Sequence, residues 1–294
     1  MAEDRDDPKA WKPFMIRSNA STHSASSLPP IRVGAVQYLN TRPLVQGLAA
    51  ADLALSYDLP SRLADHLAAG RLDVALVPSI EVFRHSEFRI VSNACIGCRG
   101  PVMSVKLLFR VPPQRVLSLA VDEGSRTSAA LAKILLSDMY GLSPRIEQLP
   151  IGANSGDTDA DAILLIGDRA LGPAMAGGGF QVVWDLGDEW CRWTGLPFVF
   201  AVWAARPGAD TMELVDRLEA ARDRGRANLP AIAAAEAAAH GLTTAQCLSY
   251  LTDNLHYDLG TRELDALRLF RAHAVRLGLS PRPVGPAVSL GNAR

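Results

Sequence analysis

Four times in this chain an apolar, strand-like run breaks directly into a polar turn that starts a helix: Val33 to Pro43, Asp73 to Ser79, Leu119 to Ser128 and Ala162 to Asp168. Short buried strands alternating with helices build mostly parallel sheets covered by those helices. In such sheets ligands sit beyond the carboxyl ends of the strands, where helix starts present unpaired N–H groups and the positive end of a dipole. The recurrence therefore predicts one site assembled from four turns and suited to a small anion.

Length sets the number of cores. At 294 residues the chain exceeds what one hydrophobic core usually organises, so two α/β lobes are expected. Residues 1–30 are rich in Asp, Lys, Ser and Pro, lack the apolar segment of a secretory signal, and read as a disordered leader. Residues 31–112 and 198–294 are assigned to lobe 1 and residues 113–197 to lobe 2, with a crossing at Pro112-Pro113 and a return along the apolar run Pro197 to Arg206. Helices are expected over Pro43 to Ala51, over Arg62 to Ala69 with Ser61 as cap and Gly70 as stop, and over Ser125 to Tyr140. Four further helices, over 212–226, 229–240, 244–254 and 263–277, are expected to pack on the first lobe. Such a clamshell holds its ligand in the cleft between lobes.

Charge and motif content narrow the chemistry. A formal net charge of -1 with no long basic run leaves nothing to neutralise phosphates, so neither nucleic acid nor a membrane surface is an expected partner. No apolar run reaches the roughly 18 residues needed to cross a bilayer. Cys95 and Cys98 have metal-like spacing, but no second ligand pair follows and the pair precedes Arg99-Gly100-Pro101 instead of opening a helix. Together with Cys191 and Cys247 they read as buried free thiols, which suits a reducing cytoplasm. There is no phosphate-binding glycine loop, no dinucleotide fingerprint, no zinc-protease helix, and no nucleophile elbow around Ser104, which limits the chemistry and makes covalent acyl transfer unexpected.

The turns themselves carry the candidates. Asn40 caps the following helix or, if Thr41 takes that role, offers both donor and acceptor of its amide to a ligand. Ser125, Arg126, Thr127 and Ser128 either cap a helix in the ordinary way or hold a carboxylate or phosphate at its start. Gly167 suits close approach of the backbone, and Asp168 either caps or orients a ligand hydroxyl. Ser104 places a hydroxyl near the entry of a strand. His66, His85, His240, His256 and His273 lie in or beside helices, away from the four turns, and read as structural or solvent-facing. Trp184, Trp190, Trp193, Phe198 and Phe200 wall an apolar ring pocket or, more simply, fill a core.

On these residues the chain resembles the chorismate dehydratases of the futalosine route to menaquinone, a family similar in fold to type II periplasmic binding proteins. The likeness is carried by Val36 to Asn40, Leu72 to Pro78, Arg99 to Ser104, Ser125 to Ser128, Leu165 to Asp168, Trp193 to Trp203 and Asn254 to Gly260, and it spans nearly all of the chain after the leader. The resemblance implies a two-lobed α/β fold with an interlobe cleft. It implies a cofactor-free lyase that converts chorismate to 3-[(1-carboxyvinyl)oxy]benzoate and water. Asn40 and Ser104 would orient the reacting groups while the enolpyruvyl carboxylate of the substrate removes the proton. Ser125, Arg126, Thr127, Ser128 and Gly167 would contact carboxylates, with Asp168 in the same site. The competing reading is a non-catalytic small-anion solute-binding protein, against which the missing export signal counts.

Overall fold

The strand runs gather into two sheets. A computed structural model describes residues 29–171 and 179–282. The leader expected over 1–30 lies almost wholly outside the described residues. The strands are β1 (Ile31–Val36), β2 (Leu53–Asp58), β3 (Val74–Pro78), β4 (Arg89–Cys98), β5 (Val105–Phe109), β6 (Ser118–Asp122), β7 (Arg145–Leu149), β8 (Ala162–Ile166), β9 (Val182–Asp185), β10 (Phe198–Ala205) and β11 (His256–Asp258). Six of them form one sheet in the order β11-β4-β10-β3-β1-β2, and five form another in the order β7-β6-β8-β5-β9. β1 runs parallel to β2 and β3, whereas β10 enters antiparallel between β3 and β4. All eight residues of β10 are buried, as a strand flanked on both edges and covered on both faces requires.

The first crossing between sheets comes earlier than Pro112-Pro113. β5 already belongs to the second sheet, antiparallel to both β8 and β9, so the chain leaves the first sheet after Cys98. Arg99-Gly100-Pro101 is the break; the apolar run Val102 to Val111 reads the same in either sheet, which is why periodicity misplaced the boundary. β4, β7 and β11 were not expected as strands. Ser92-Asn93-Ala94 and Gly97 give β4 little strand propensity of its own, and pairing with β10 on one edge and β11 on the other forms it regardless.

Helices cover the sheets: α1 (Pro60–Ala68), α2 (Glu81–Arg84), α3 (Thr127–Tyr140), α4 (Asp168–Leu171), α5 (Leu186–Thr194), α6 (Met212–Ala227), α7 (Leu229–Glu236), α8 (Thr244–Ser249) and α9 (Thr261–Arg276). Three local expectations are corrected. The helix expected over Pro43 to Ala51 is a 3₁₀ turn, Leu39–Val45, with Pro43 inside it; proline has no N–H for the α ladder, and the tighter turn tolerates it. Asn40 therefore lies within this turn and is not its cap. α1 starts at Pro60, so Ser61 is buried in its first turn and Leu59 is the cap. The segment 244–254 divides into α8 and a π turn, Tyr250–Asn254.

α6 lies on the 3₁₀ turn so closely that a Cβ on Gly225 would stand 1.9 Å from the Pro43 carbonyl oxygen. Alanine in a helix interior gains about 1 kcal/mol over glycine. Forcing a methyl group into backbone at that distance costs about 3 kcal/mol or more. The steric term wins, and Gly225→Ala is expected to lower stability by about 2 kcal/mol, read as a fall in Tm; an unchanged or raised Tm would show that the two elements separate freely.

Candidate functional site

All four turns reach one cavity between the sheets. Beyond β1 it is lined by Tyr38 and Asn40, at the end of β3 by Pro78, beyond β6 by Gly124, Ser125, Arg126, Thr127 and Ser128, and beyond β8 by Gly167. The crossing segment adds Val102 and Ser104, and Val36, Ile96, Ile166 and Phe200 contribute an apolar wall. The space amounts to about 520 Å³, partly open to solvent. Of the residues singled out from sequence, Asn40, Ser104, Ser125, Arg126, Thr127, Ser128 and Gly167 line it; Asp168 does not.

Ser104 is presented by a strained turn. Met103 adopts φ 61°, a left-handed conformation that costs a non-glycine residue about 1–3 kcal/mol. One carboxylate holds it there: Asp185 accepts the N–H of Val102 at 2.9 Å and of Met103 at 2.7 Å, and pairs with Lys106 Nζ at 2.9 Å. The same side chain accepts Gly187 and Asp188 N–H groups at the start of α5. On the far side, Gly167 donates its N–H to the Ser104 carbonyl at 2.9 Å. Gly167 has φ +61°, and a Cβ there would fall 2.7 Å from the Tyr38 ring, so only glycine fits between the second sheet and Tyr38.

Asn40 and Ser104 share a partner that sequence reasoning missed. The hydroxyl of Tyr250, a residue 1% exposed at the head of the π turn, is placed to hydrogen-bond with both side chains. Burial pushes its phenol well above the ordinary range, so it stays neutral and contributes hydrogen bonding without charge. Asn254, at the other end of the same turn, donates its amide to the Pro101 carbonyl at 2.9 Å and ties the turn to the segment bearing Ser104. Thr41 donates to Asn40 Oδ1 at 3.3 Å.

At the start of α3 the four expected residues divide. Ser125 is buried, and its hydroxyl has no partner among the described residues; the buried Tyr38 hydroxyl likewise has none among them. Thr127 Oγ1 accepts the Ile80 N–H at 3.2 Å and so docks α3 on the first lobe. The Arg126 guanidinium is held at 2.8 Å by both oxygens of Asp65 and lies 3.3 Å from Glu81, so its charge is matched within the protein. Asp168 is turned away as well: it accepts the Leu39 N–H at 3.1 Å and faces His240 at 3.2 Å. Burial raises its carboxyl above the usual range, against the pull of that N–H and of His240 and Arg42. His240 therefore stands next to one of the four turns, contrary to the expectation that the histidines avoid them; the chain folds back after α7 to bring it there.

The aromatic alternative resolves as core for Trp184, Trp190, Phe198 and Phe200, whereas Trp193 is exposed. Trp190 packs against Phe198 and Phe270 at 5.2 and 6.1 Å between ring centres and donates to the Pro197 carbonyl, and of the five aromatics singled out only Phe200 lines the cavity. Cys95 and Cys98, three apart on one strand, face opposite sides of the sheet and cannot chelate together. No group of His, Cys, Asp and Glu suited to a metal occurs among the described residues, and no helix among them is long and apolar enough to cross a membrane.

Two lobes, each with its own sheet, and a cleft at the carboxyl ends of the strands define an α/β protein of the periplasmic-binding-protein type. Solved structures of that fold superpose well: protein AF1704 from Archaeoglobus fulgidus with a TM-score of 0.69 at 17% identity, covering 85% of this chain and 98% of that one. The aliphatic sulphonate binding protein SsuA from Escherichia coli gives 0.59 at 17% identity, covering 88% and 90%. The chain belongs to the menaquinone biosynthesis family, whose model matches residues 31–276. It is 32% identical to the chorismate dehydratase of Thermus thermophilus over 271 residues, 87% of this chain and 98% of the relative. It is 30% identical to that of Campylobacter jejuni over 164 residues, 56% and 58% of the two chains.

Proposed function

We propose that this protein is a chorismate dehydratase, a hydro-lyase that converts chorismate to 3-[(1-carboxyvinyl)oxy]benzoate and water in menaquinone synthesis. The observation that carries the mechanism is the make-up of the cavity wall. Among the described residues lining it there is no carboxylate, imidazole, thiol or amine, and its one cation, Arg126, is paired with Asp65 and Glu81. A proton acceptor is therefore brought by the substrate. The hydrogen to be lost sits on the ring carbon that bears the ether oxygen, and the enolpyruvyl carboxylate on that ether reaches it through a six-membered cyclic arrangement. That C–H bond breaks as the neighbouring C–O bond releases hydroxide; the carboxyl group then returns its proton to the hydroxide, giving water, and the ring becomes aromatic.

The protein's share is orientation. Holding one conformer of such a substrate substitutes for a large entropic barrier. In this reading Asn40 and Ser104, joined through Tyr250, orient the reacting hydroxyl and carboxylate. Ser125, Ser128, Gly167 and the start of α3 receive the other carboxylate, for which the unpartnered Ser125 and Tyr38 hydroxyls are ready donors. Arg126, Thr127 and Asp168 belong to the same site by holding its walls together. Free thiols at all four cysteines fit work in a reducing cytoplasm.

Incubating the purified protein with chorismate tests the reading: an aromatic product lighter than chorismate by one water is expected, followed by absorbance and mass. Binding of chorismate without any product would favour the solute-binding alternative, for which only the fold speaks.

A further inference from the structure

The Asp168 carboxylate leaves the second lobe and closes on the first. Its Oδ1 accepts the Leu39 N–H at 3.1 Å, and its Oδ2 lies 3.2 Å from His240 Nδ1. His240 ends the 3₁₀ turn Ala237–His240 that follows α7, and its Nε2 is 3.5 Å from Glu236 Oε2. Glu236 in turn pairs at 3.2 Å with Arg42, a member of the same 3₁₀ turn as Asn40. The charged groups facing Asp168 are thus His240, Arg42 and Glu236, and those facing His240 are Asp168 and Glu236.

This cluster touches no cavity wall, yet it governs the distance between two residues that do. Leu39 precedes Asn40, and Asp168 follows Gly167, whose N–H is bonded to the Ser104 carbonyl at 2.9 Å. Two hydrogen bonds and a few covalent links therefore span from Asn40 in the first lobe to Ser104 at the entry to the second. Asp168 is the single side chain in that span, and the His240 ring decides where its carboxylate points. Without His240 the carboxylate, half-buried beside Glu236, is free to turn toward water, and the Leu39 N–H loses its acceptor.

We propose that His240 is a positioning residue for the dehydration: it holds Asp168 on the Leu39 N–H and so fixes Asn40 against Ser104 across the cleft. The proposal rests on the functional reading above for its reaction, but its structural half is testable without it. Two variants separate positioning from packing. His240→Leu removes the donor, whereas His240→Asn places an amide N–H close to where Nδ1 stands.

His240→Leu is expected to lower kcat for chorismate about 10-fold with KM changed less than about 2-fold, because orientation is lost and binding is not. Exchange of the Leu39 amide hydrogen, followed by NMR, is expected to quicken at least about 10-fold in the same variant. His240→Asn is expected to recover most of both effects. Wild-type kcat and unchanged Leu39 exchange in His240→Leu would overturn the proposal, as would equal losses of kcat and Tm in both variants, which would mark His240 as packing alone. A wild-type chain that protects the Leu39 amide but makes no product from chorismate would fail the functional reading, and with it the catalytic half of the proposal, while leaving the Asp168 contact in place.

Discussion

Alanine at Asn40 or at Ser104 is expected to lower kcat for chorismate by about 10²-fold or more, with KM altered far less, in protein that folds normally. Both side chains reach the cavity, both face the buried Tyr250 hydroxyl, and neither caps a helix start. Their contribution is the geometry of one substrate conformer, which is worth most in the transition state. The two losses are expected to be less than additive, because Tyr250 joins the residues into one unit and removing either frees the other. Circular dichroism and Tm of the variants check the fold. If Asp168→Asn abolished turnover while Asn40→Ala and Ser104→Ala remained active, the assignment of the orienting pair would be wrong.

The largest effect on stability is expected at Arg169. Its guanidinium contacts Asp122 at 2.7 Å, where the carboxylate side chain is fully buried at the end of β6. It also donates to the Ala153 carbonyl. Burial raises the Asp122 carboxyl, and Arg169 is the strongest influence holding it down. Arg169→Leu removes that influence and strands a charge in the interior, for which a loss of about 3–5 kcal/mol is typical. The loss should depend on pH in a defined direction. With Asp122 titrating above its unfolded value of about 4, the penalty is absent below that value and grows as pH rises through the folded one. The gap in Tm between wild type and Arg169→Leu should therefore narrow on the acid side and widen toward neutrality. Adding Asp122→Asn should restore much of the loss at neutral pH; a double variant no more stable than Arg169→Leu would show that the Ala153 contact, not the charge, matters.

Much of this site was legible in the residues. Val33 to Val36, Val74 to Val77, Leu119 to Val121 and Ala162 to Ile166 are apolar runs that meet a polar turn, and sheet geometry sends all such turns to one edge. That is how Asn40, Ser125 and Gly167 came together without coordinates. The resemblance supplied Ser104, which has no local pattern of its own. What could not be read depends on contacts far apart in the chain. Asp185 reaches back about eighty residues to shape the turn at Met103, whose left-handed backbone no methionine advertises. Tyr250 and His240 sit on helices whose stripes predict burial but not which buried groups they meet. Arg126 and Asp168 have the right place and the wrong direction: a helix start shows where a charged side chain begins, and only the packed first lobe shows that Asp65, Glu81 and His240 wait for it. The boundary at Pro112-Pro113 failed for the same reason, since an apolar strand does not state its sheet.

The claim most exposed to test is that the cavity wall supplies orientation and the substrate supplies the base. Chorismate esterified at its enolpyruvyl carboxylate alone measures this directly. It is expected to bind or compete with chorismate yet give no aromatic product at a rate above the uncatalysed one. Turnover of the ester within about tenfold of the rate with chorismate, an effect far smaller than the 10²–10⁴-fold that a general base contributes, would place the base in the protein and contradict the account.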